Sequence, residues 1–340
     1  MNHKRQQRIL ASKQFHNGRF RNTSGVGTAM SGNTAAIMAD FFFGGRKRLP
    51  PGKIPVDNPL ATWETEPATG LRITWFGHST MLLESEGVRV LIDPMFADYA
   101  SPVSFAGRKR FHPVPAKISE LPPLDAIILS HDHYDHLANS SWKELAPLCV
   151  PVITSLGVGE RLEKLGVDPS TITELDWWEK HTIAGGRMSI TAAPAQHFSG
   201  RGLNDRNKTL WSSWVFSTAS KRVFYSGDTG LTDELADIGN KLGPFDLVIL
   251  EIGASNPAWA AIHLGPENAL KAFRMLNGKT FFPVHWGTFD LALHTWSEPP
   301  ETLLSLAEPQ GVRVITPRVG QPAEPDSFDE SIRWWRGMRD

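Results

Sequence analysis

Cysteine is almost absent from the sequence, which contains one such residue, Cys149, among 340. A single cysteine excludes an intramolecular disulfide framework and a zinc site made of cysteines alone. The flanking residues Leu148 and Val150 are apolar. A free cysteine in such surroundings is predicted to be a buried, unreactive thiol.

Long apolar runs are missing as well. The best candidate, residues 35–43, contains Asp40 and is followed by two glycines, whereas a membrane-spanning helix needs about 20 mostly apolar residues. The N-terminus begins with basic residues but lacks the apolar core of a signal peptide. We therefore expect a cytoplasmic protein. Peripheral contact at the inner face of the membrane is the alternative that stays open.

Acidic residues are nearly missing from the first 56 positions. This segment holds ten Lys or Arg residues and one acid, Asp40, a net charge of +9, so the remaining residues carry −10 of the total of −1. Two interpretations stay open for the segment: a solubilising, partly disordered arm, or an arm that approaches anionic lipid or another polyanion. The acidic remainder disfavours a nucleic-acid groove, and we expect no nucleic-acid partner.

The composition, 41% apolar and 21% charged, is that of a globular protein. Residues 49–70 are rich in Pro, Gly and Thr, which predicts a surface linker. We therefore divide the chain into a basic N-terminal arm and linker, residues 1–68, and a folded domain, residues 69–340. Helices are expected near residues 138–147, 157–165, 231–241, 266–276 and 300–308, with Ser155 as a cap of the second and Pro266 in the first turn of the fourth.

Short β-branched and aromatic runs after residue 70 predict strands. They are Leu71–Phe76, Met81–Glu84, Val88–Asp93, Ala126–Ser130, Val150–Thr154, Met188–Ala193, Trp211–Thr218, Val223–Ser226, Leu247–Ile252, Thr280–Val284 and Val312–Thr316. Strands with helices interspersed favour an α/β fold in which sheets pack together and helices lie outside.

The most informative segment follows an apolar predicted strand and reads His131-Asp132-His133-Tyr134-Asp135-His136. Three imidazoles and two carboxylates buried together would need partners, and a metal supplies them. Zinc accepts both imidazole nitrogen and carboxylate oxygen. Alternate residues of an extended segment point the same way, so His131 and His133 suit one ion. Asp135 and His136, beyond a turn, suit a second ion.

Two ions need more ligands than this run supplies. Three further candidates follow predicted strands: His197, Asp228 and His285. Each alone has an ordinary explanation, a hydrogen-bonded histidine or a turn-capping aspartate. Asp228 lies in the turn Ser226-Gly227-Asp228-Thr229-Gly230, where one carboxylate suffices to bridge two metals. Together with the run at 131–136, these residues point to a binuclear metal site.

In this order, the motif residues resemble those of the metallo-β-lactamase superfamily over roughly residues 70–320. The resemblance implies an α/β fold, the four-layer αββα metallo-β-lactamase sandwich with an N-terminal extension, and a two-metal site on one edge. The ligands it implies are His131, His133 and His197 for one ion, Asp135, His136 and His285 for the other, and Asp228 for both. It also implies that Asp93, at an early strand end, supports the ligands from behind.

A closer resemblance is to the N-acyl-phosphatidylethanolamine-hydrolysing phospholipase D group. It rests on residues 75–80 (WFGHST), 92–96 (IDPMF), 251–254 (EIGA) and 285–289 (HWGTF). The resemblance implies that His263 is an active-site histidine beside the metals. Bacterial sugar-phosphate lactonase-like hydrolases share these features, so the metal site is better specified than the substrate.

The expected activity is that of a zinc-dependent phosphodiesterase of phospholipase D type acting on N-acyl-phosphatidylethanolamine-like lipids. Two ions about 3.5–4 Å apart lower the pKa of a shared water, and we expect metal-bridged hydroxide to attack phosphorus, with Asp135 and His263 as catalytic residues. Two zinc ions per chain are expected; iron or manganese also fits. The alternative is a lactonase or other ester hydrolase acting on a small phosphorylated metabolite. The partner hypotheses are a small-molecule or phospholipid substrate, peripheral membrane contact and a homodimer.

Several side chains near these motifs have two interpretations. His78 and His294 either line the pocket or are structural and surface histidines, respectively. Arg108-Lys109-Arg110 is either a solvated face or a rim that guides anions. The sequence has 12 tryptophans against 3 tyrosines, and five of them either build the core or line a pocket for an acyl chain. These five are Trp211, Trp214, Trp259, Trp286 and Trp296.

Overall fold

The computed structural model describes residues 3–27, 39, 48–103, 105–329 and 332–338. Its α-helices are α1 (His3–Ala11), α2 (Asn139–Leu145), α3 (Gly159–Glu163), α4 (Glu234–Leu242), α5 (Gly265–Met275) and α6 (Glu298–Ala307). Its strands are β1 (Phe15–His16), β2 (Arg19–Phe20), β3 (Leu71–Gly77), β4 (Thr80–Ser85), β5 (Val88–Ile92), β6 (Tyr99–Ala100), β7 (Arg108–Lys109), β8 (Ala126–Leu129), β9 (Val152–Ser155), β10 (Ile172–Leu175), β11 (Lys180–Ile183), β12 (Met188–Ala193), β13 (Ser213–Ser217), β14 (Arg222–Tyr225), β15 (Phe245–Glu251), β16 (Gly278–Val284) and β17 (Pro322–Ala323).

The first large sheet has seven strands in the order β10-β9-β8-β5-β4-β3-β17. Its first four strands are parallel neighbours, and the pairs from β5 through to β17 are antiparallel. The turn between β4 and β5 shows how local sequence sets this register. Glu86 and Gly87 both have positive φ, 48° and 72°, as a tight hairpin turn with the right twist requires.

The second large sheet has six strands in the order β11-β12-β13-β14-β15-β16. The first four are antiparallel, and β14, β15 and β16 are parallel. Parallel neighbours need a crossover connection. Here α4 connects β14 to β15, and α5 connects β15 to β16 and packs on both strands.

The main core lies between the two sheets, and a smaller core lies outside the first sheet. Val90 and Ile92 belong to the cluster shared with the second sheet. Leu91, between them, packs instead with Trp142 of α2 and Leu162 of α3. This alternation is the period of two expected of a strand buried on both faces. Helix, sheet, sheet and helix form four layers, which confirms the predicted sandwich.

The N-terminal segment packs against the domain, and the expectation of a partly disordered arm is wrong for residues 3–27. Arg5 on α1 is buried and donates to Glu174 at 2.7 Å and to Glu163 at 2.6 Å. Phe20 is buried in a cluster with Trp177 and other apolar residues. Apolar burial and these ion pairs offset the loss of chain entropy. The same expectation for residues 1–2, 28–38 and 40–47 concerns positions outside the described residues.

The predicted strands coincide with observed ones, within a few residues at their ends, except for one. The segment Val312–Thr316 contacts β16 only through an isolated bridge between Val314 and Phe281. Pro317 follows directly and lacks the N–H that would extend a ladder. The sequence did not predict β10 and β11, whose mixed polar composition is typical of the sheet edges they form. It also did not predict the two-residue strands β1, β2, β6, β7 and β17.

Two local expectations are wrong. Cys149 is exposed and lies, at φ 51°, where the chain leaves a short 3₁₀ turn. Ser155 does not cap α3, which begins four residues later. Its hydroxyl instead donates to the carbonyl of Ser130 at 2.9 Å. Pro266 does lie in the first turn of α5, as predicted.

Within the described residues, no helix combines the length and apolar character that crossing a bilayer requires.

Candidate metal centre

The predicted ligands converge because they follow strand ends of both sheets. β8 leads into His131 in the first sheet, and β14 and β16 lead into Asp228 and His285 in the second. The loop after β12 adds His197. Side chains beyond the carboxyl ends of parallel strands share one edge of a sheet. All seven predicted ligands lie there, in two adjoining groups of donor atoms.

The first group consists of His131, His133, His197 and Asp228, whose donor atoms all lie within 4.8 Å of one another. Nε2 of His131 and Nε2 of His197 lie 2.9 and 3.2 Å from Nδ1 of His133. The same two Nε2 atoms lie 3.8 and 3.7 Å from Oδ2 of Asp228. Three imidazole nitrogens and one carboxylate oxygen form a donor set that zinc accepts.

The second group consists of His78, Asp135, His136 and His285. Oδ2 of Asp135 lies 3.4 Å from Nε2 of His285 and 3.7 Å from Nε2 of His136. His78 joins the group through its Nε2, 2.9 Å from the same oxygen. Burial lowers the pKa of His78 to about 3, so its imidazole is neutral near pH 7. Of the two interpretations of His78, the structure supports a place in the site.

Asp228 lies between the two groups. Its Oδ2 faces His131 and His197, as given above. Its Oδ1 lies 3.2 Å from Nε2 of His136 and 3.2 Å from Nε2 of His285. One carboxylate thus presents one oxygen to each group, which is the arrangement that a bridging ligand requires.

The rings of the histidines are held from behind. Nδ1 of His136 lies 2.7 Å from Asp93, and Nδ1 of His197 lies 3.0 Å from the carbonyl of Ile262. Histidines that bind metals through one ring nitrogen usually donate the other N–H to a carboxylate or carbonyl. Both rings therefore present Nε2 to the cluster.

Several buried donor atoms of the cluster have no hydrogen-bonding partner among the described residues. These atoms are Nε2 of His136, both ring nitrogens of His285 and Oδ1 of Asp228. Burying unpaired polar atoms costs free energy, and such atoms are rare in folded proteins unless an ion or water satisfies them. The donor types and their unsatisfied state fit two bound metal ions.

Asp93 connects the cluster to both sheets and has the supporting role that the resemblance implied. Its carboxylate accepts hydrogen bonds from Ser130 N at 2.7 Å and Ser130 Oγ at 2.6 Å, besides the contact with His136. Tyr225 of the second sheet donates to it at 2.5 Å. Burial and the Asp93 charge raise the pKa of Tyr225 well above its ordinary value, which keeps the hydroxyl protonated as a donor.

Backbone conformation also marks the site. His78, Asp93 and His285 have φ of 51°, 41° and 65°, in the left-handed region that favours glycine. Non-glycine residues there store strain, and such residues cluster at functional sites. The side chains of all three residues lie at the proposed metal site. The sequence did not predict these backbone conformations.

A third group of donors, Glu251 with His263, lies against the first two. Oε2 of Glu251 is 2.5 Å from Nδ1 of His263, and the His263 ring centre lies 5.1 Å from that of His197. Burial acts to lower the pKa of His263, but the Glu251 carboxylate outweighs it, and the pKa is raised. The sequence did not assign a role to Glu251, although an acid that ends a buried strand was a signal.

An open cleft of about 550 Å³ adjoins His263. It runs between the chain around residues 255–268 and the start of α6, and His294 lines its wall. His294 is half-buried, with Nδ1 2.9 Å from the carbonyl of Thr295. Of the two interpretations of His294, the pocket wall is therefore the correct one.

The remaining candidates mostly have structural roles. Arg110 is buried and donates to the carbonyl of Phe76 at 3.1 Å, so it is not part of an anion-guiding rim. Asp132 turns away from the cluster and accepts from Gly200 N at 2.8 Å. Of the five tryptophans, Trp259 is half-buried beside the cleft-lining loop, and four are buried in the core. These four are Trp211, Trp214, Trp286 and Trp296.

Comparison with known proteins places the chain in a family. The family model described as the β-lactamase superfamily domain matches residues 88–286. An uncharacterized protein of Mycobacterium tuberculosis is 44% identical over 273 residues, 79% of this chain and 73% of the relative. The N-acyl-phosphatidylethanolamine-hydrolyzing phospholipase D 1 of Caenorhabditis elegans is 37% identical over 273 residues, 77% of this chain and 76% of the relative.

Solved structures agree on the fold. The metallo hydrolase Igni18 of Ignicoccus hospitalis matches with a TM-score of 0.58 at 21% identity, covering 74% of this chain and 97% of that one. An isothiocyanate hydrolase from Delia radicum gut bacteria matches with a TM-score of 0.60 at 22% identity, covering 74% and 98%. With two donor groups at the edge of an αββα sandwich, this chain belongs to the metallo-β-lactamase superfamily and is a metal-dependent hydrolase of that family.

Proposed function

We propose that this chain is a binuclear phosphodiesterase of phospholipase D type that acts on N-acyl-phosphatidylethanolamine-like lipids. The observation that carries the binuclear site is the position of Asp228, with one oxygen toward each donor group. The substrate class rests on the similarity to the nematode phospholipase D. Two bound zinc ions would supply a water of lowered pKa and a clamp on phosphoryl oxygens.

The ligand assignment follows the two groups. His131, His133 and His197 would hold one ion. Asp135, His136 and His285 would hold the other, and Asp228 would reach both. Of the donor atoms in this assignment, Nε2 of His136, Nε2 of His285 and Oδ1 of Asp228 have no hydrogen-bonding partner among the described residues.

His263 is the proposed general acid. The Glu251 carboxylate acts to raise the pKa of His263 and fixes the orientation of the ring through Nδ1. Hydrolysis forms a bond between a water oxygen and phosphorus and breaks the bond to the leaving alcohol. That alcohol oxygen needs a proton, and His263 lies beside both the cluster and the cleft. General acid catalysis of this kind contributes about 10²- to 10⁴-fold to rate.

A membrane surface is the proposed source of substrate. Two loops beside the metal centre both contact Asn139. In the first loop, between β6 and β7, the carbonyl of Pro102 accepts a hydrogen bond from Asn139, and in the second, between β12 and β13, the guanidinium of Arg201 donates one to it. These loops present large apolar side chains to solvent, which single out a surface for lipid or protein contact. The side chains are Val103 (40% exposed), Phe105 (79%) and Leu203 (fully exposed).

Cations flank these apolar tips and suit an anionic bilayer. Arg206 and Lys208 are exposed on the second loop, and Lys109 on the first. Arg19 of the N-terminal segment is exposed next to Phe20, whose N–H donates to the carbonyl of Asn207. Each cation near an anionic membrane surface contributes about 1 kcal/mol. This bears on the basic arm, whose lipid interpretation is the one we propose.

The proposed function is tested by an assay of the zinc-loaded protein on three substrates: vesicles containing N-acyl-phosphatidylethanolamine, the soluble diester bis(p-nitrophenyl) phosphate, and a lactone panel. The proposal expects the lipid to be hydrolysed with the highest kcat/KM, releasing phosphatidic acid and an N-acylethanolamine. Faster turnover of lactones than of either diester would favour the carbonyl-hydrolase alternative and contradict the proposal.

A further inference from the structure

The backbone of His197 is held by the side chain of Asn22, from the N-terminal segment. Nδ2 of Asn22 donates to the carbonyl of His197 at 3.0 Å, and the N–H of His197 donates to Oδ1 of Asn22 at 3.1 Å. Nε1 of Trp211 donates to the same Oδ1 at 3.1 Å. The amide of Asn22 thus uses both its ends on one metal-cluster histidine.

This contact supplies what regular secondary structure does not. Residues 194–200 lie in neither a helix nor a strand, so ladder hydrogen bonds do not fix the backbone there. Main-chain N–H and C=O groups of a buried residue need partners. His197 is buried, and Asn22 provides both partners. The next residue back, Gln196, accepts a hydrogen bond from Ser24 at 2.6 Å, which extends the contact along the same segment.

Asn22 is itself held in place by the packed N-terminal segment. Phe20, two residues earlier, is buried and donates through its N–H to the carbonyl of Asn207 at 2.8 Å. Arg5 anchors α1 by its buried contacts with Glu163 and Glu174. A side chain on such an anchored segment has little freedom left, so its hydrogen bonds position their partner rather than follow it.

We propose that the N-terminal segment contributes to metal binding, with Asn22 as a positioning residue. By holding His197, Asn22 increases the metal affinity of the first donor group. The inference rests on the proposed binuclear site but goes beyond it. Asn22 lies outside the residues matched by the family model, 88–286. The ring of His197 is fixed by Ile262, and its backbone by Asn22; loss of either lets Nε2 move off the common point of the group.

The test is zinc affinity of the full chain, measured by competition with a chromogenic chelator, for wild type, Asn22→Leu and Asn22→Asp. Asn22→Leu is nearly isosteric and removes both hydrogen bonds. Asn22→Asp keeps the acceptor and replaces the donor by an oxygen that repels the His197 carbonyl. Asn58→Leu is the matched control. The side chain of Asn58 also accepts a hydrogen bond from a backbone N–H, that of Leu60, at 3.0 Å, but it does not contact His197.

We expect both Asn22 variants to bind one of two zinc ions roughly 10- to 100-fold more weakly than wild type, the usual cost of removing a group that orients a ligand. Asn58→Leu should match wild type. Zinc affinities of both Asn22 variants within about twofold of wild type would overturn this inference alone. A wild-type chain that binds no zinc would overturn the proposed function and this inference together.

Discussion

The hydroxyl of Tyr225 donates to the carboxylate of Asp93 across 2.5 Å. Tyr225 ends a strand of the second sheet, and Asp93 follows a strand of the first, so this hydrogen bond joins the two sheets beneath the metal cluster. Asp93 in turn holds Nδ1 of His136. The packing of the sandwich and the orientation of a proposed ligand therefore depend on the same carboxylate.

Tyr225→Phe removes this donor while keeping the ring. A hydrogen bond to a charged group contributes about 1.5–3 kcal/mol, and we expect the free energy of unfolding in urea to fall by about that amount. Zinc affinity should fall as well, because Asp93 is less firmly held. Tyr99→Phe, on the half-buried surface strand β6, is the control. Equal stability of Tyr225→Phe and wild type would show that the contact does not join the sheets.

His263→Asn tests the proposed general acid. We expect kcat on the lipid to fall about 10²-fold or more, since the leaving alcohol loses its proton donor, with two zinc ions still bound. His294→Asn, which changes another histidine on the wall of the same cleft, should have a much smaller effect. Turnover that matches wild type at full metal content would remove His263 from the mechanism.

The apolar loop tips predict how the protein meets a bilayer. Phe105→Asp combined with Leu203→Asp should weaken binding to vesicles of phosphatidylethanolamine and anionic phosphatidylglycerol at least tenfold, because burying each such side chain contributes about 1.5–3 kcal/mol. Turnover of bis(p-nitrophenyl) phosphate should not change. Leu148→Asp, at an exposed leucine elsewhere on the surface, is the control in a sedimentation assay. Vesicle binding by the double variant at the wild-type level would contradict the proposed membrane surface.

Buried His112 makes stability depend on pH. Burial, aided by the Arg110 charge, lowers the pKa of His112 to about 3, whereas an unfolded histidine titrates near 6.5. Below about pH 6.5 the His112 ring is protonated in the unfolded chain but stays neutral in the folded protein. The free energy of unfolding therefore decreases as the pH falls toward 3, by up to about 1.4 kcal/mol per pH unit.

The measurement is urea unfolding of the metal-free protein between about pH 4.5 and 7, the range in which the two states differ in bound protons. His112→Gln should show a shallower loss of stability at acid pH than wild type. His181→Gln, at a half-buried histidine on the edge strand β11, should follow wild type. Parallel curves for His112→Gln and wild type would assign the acid sensitivity to other groups.

The proposed ligands could be predicted from the sequence because they lie in segments that follow apolar strands, whose ends meet at one edge, and the family resemblance implied how they divide between two ions. Of the side chains that hold them in place, the family resemblance implied Asp93, but Tyr225 and Asn22 could not be predicted. Tyr225 and Asp93 are separated by 132 positions, and Asn22 and His197 by 175, so only the folded chain brings them together. His78 escaped assignment for a different reason, since its place depends on a left-handed backbone at φ 51° that no local pattern encodes.

The basic N-terminus shows how composition misleads. Ten cations with one acid suggested a solvated arm, because charge density argues against burial. Arg5 is nevertheless buried against Glu163 and Glu174, acids more than 150 positions away. The sequence gives the net charge of the segment. It does not show which acids pair with these cations, because the tertiary structure brings the partners together.

The most direct test of the account is an anomalous difference map from crystals of the zinc-loaded protein, collected at the zinc edge. We expect two peaks per chain, one among His131, His133 and His197 and one among Asp135, His136 and His285, with Asp228 between them. A single peak, or none at these positions, would contradict the binuclear centre on which the proposed chemistry depends.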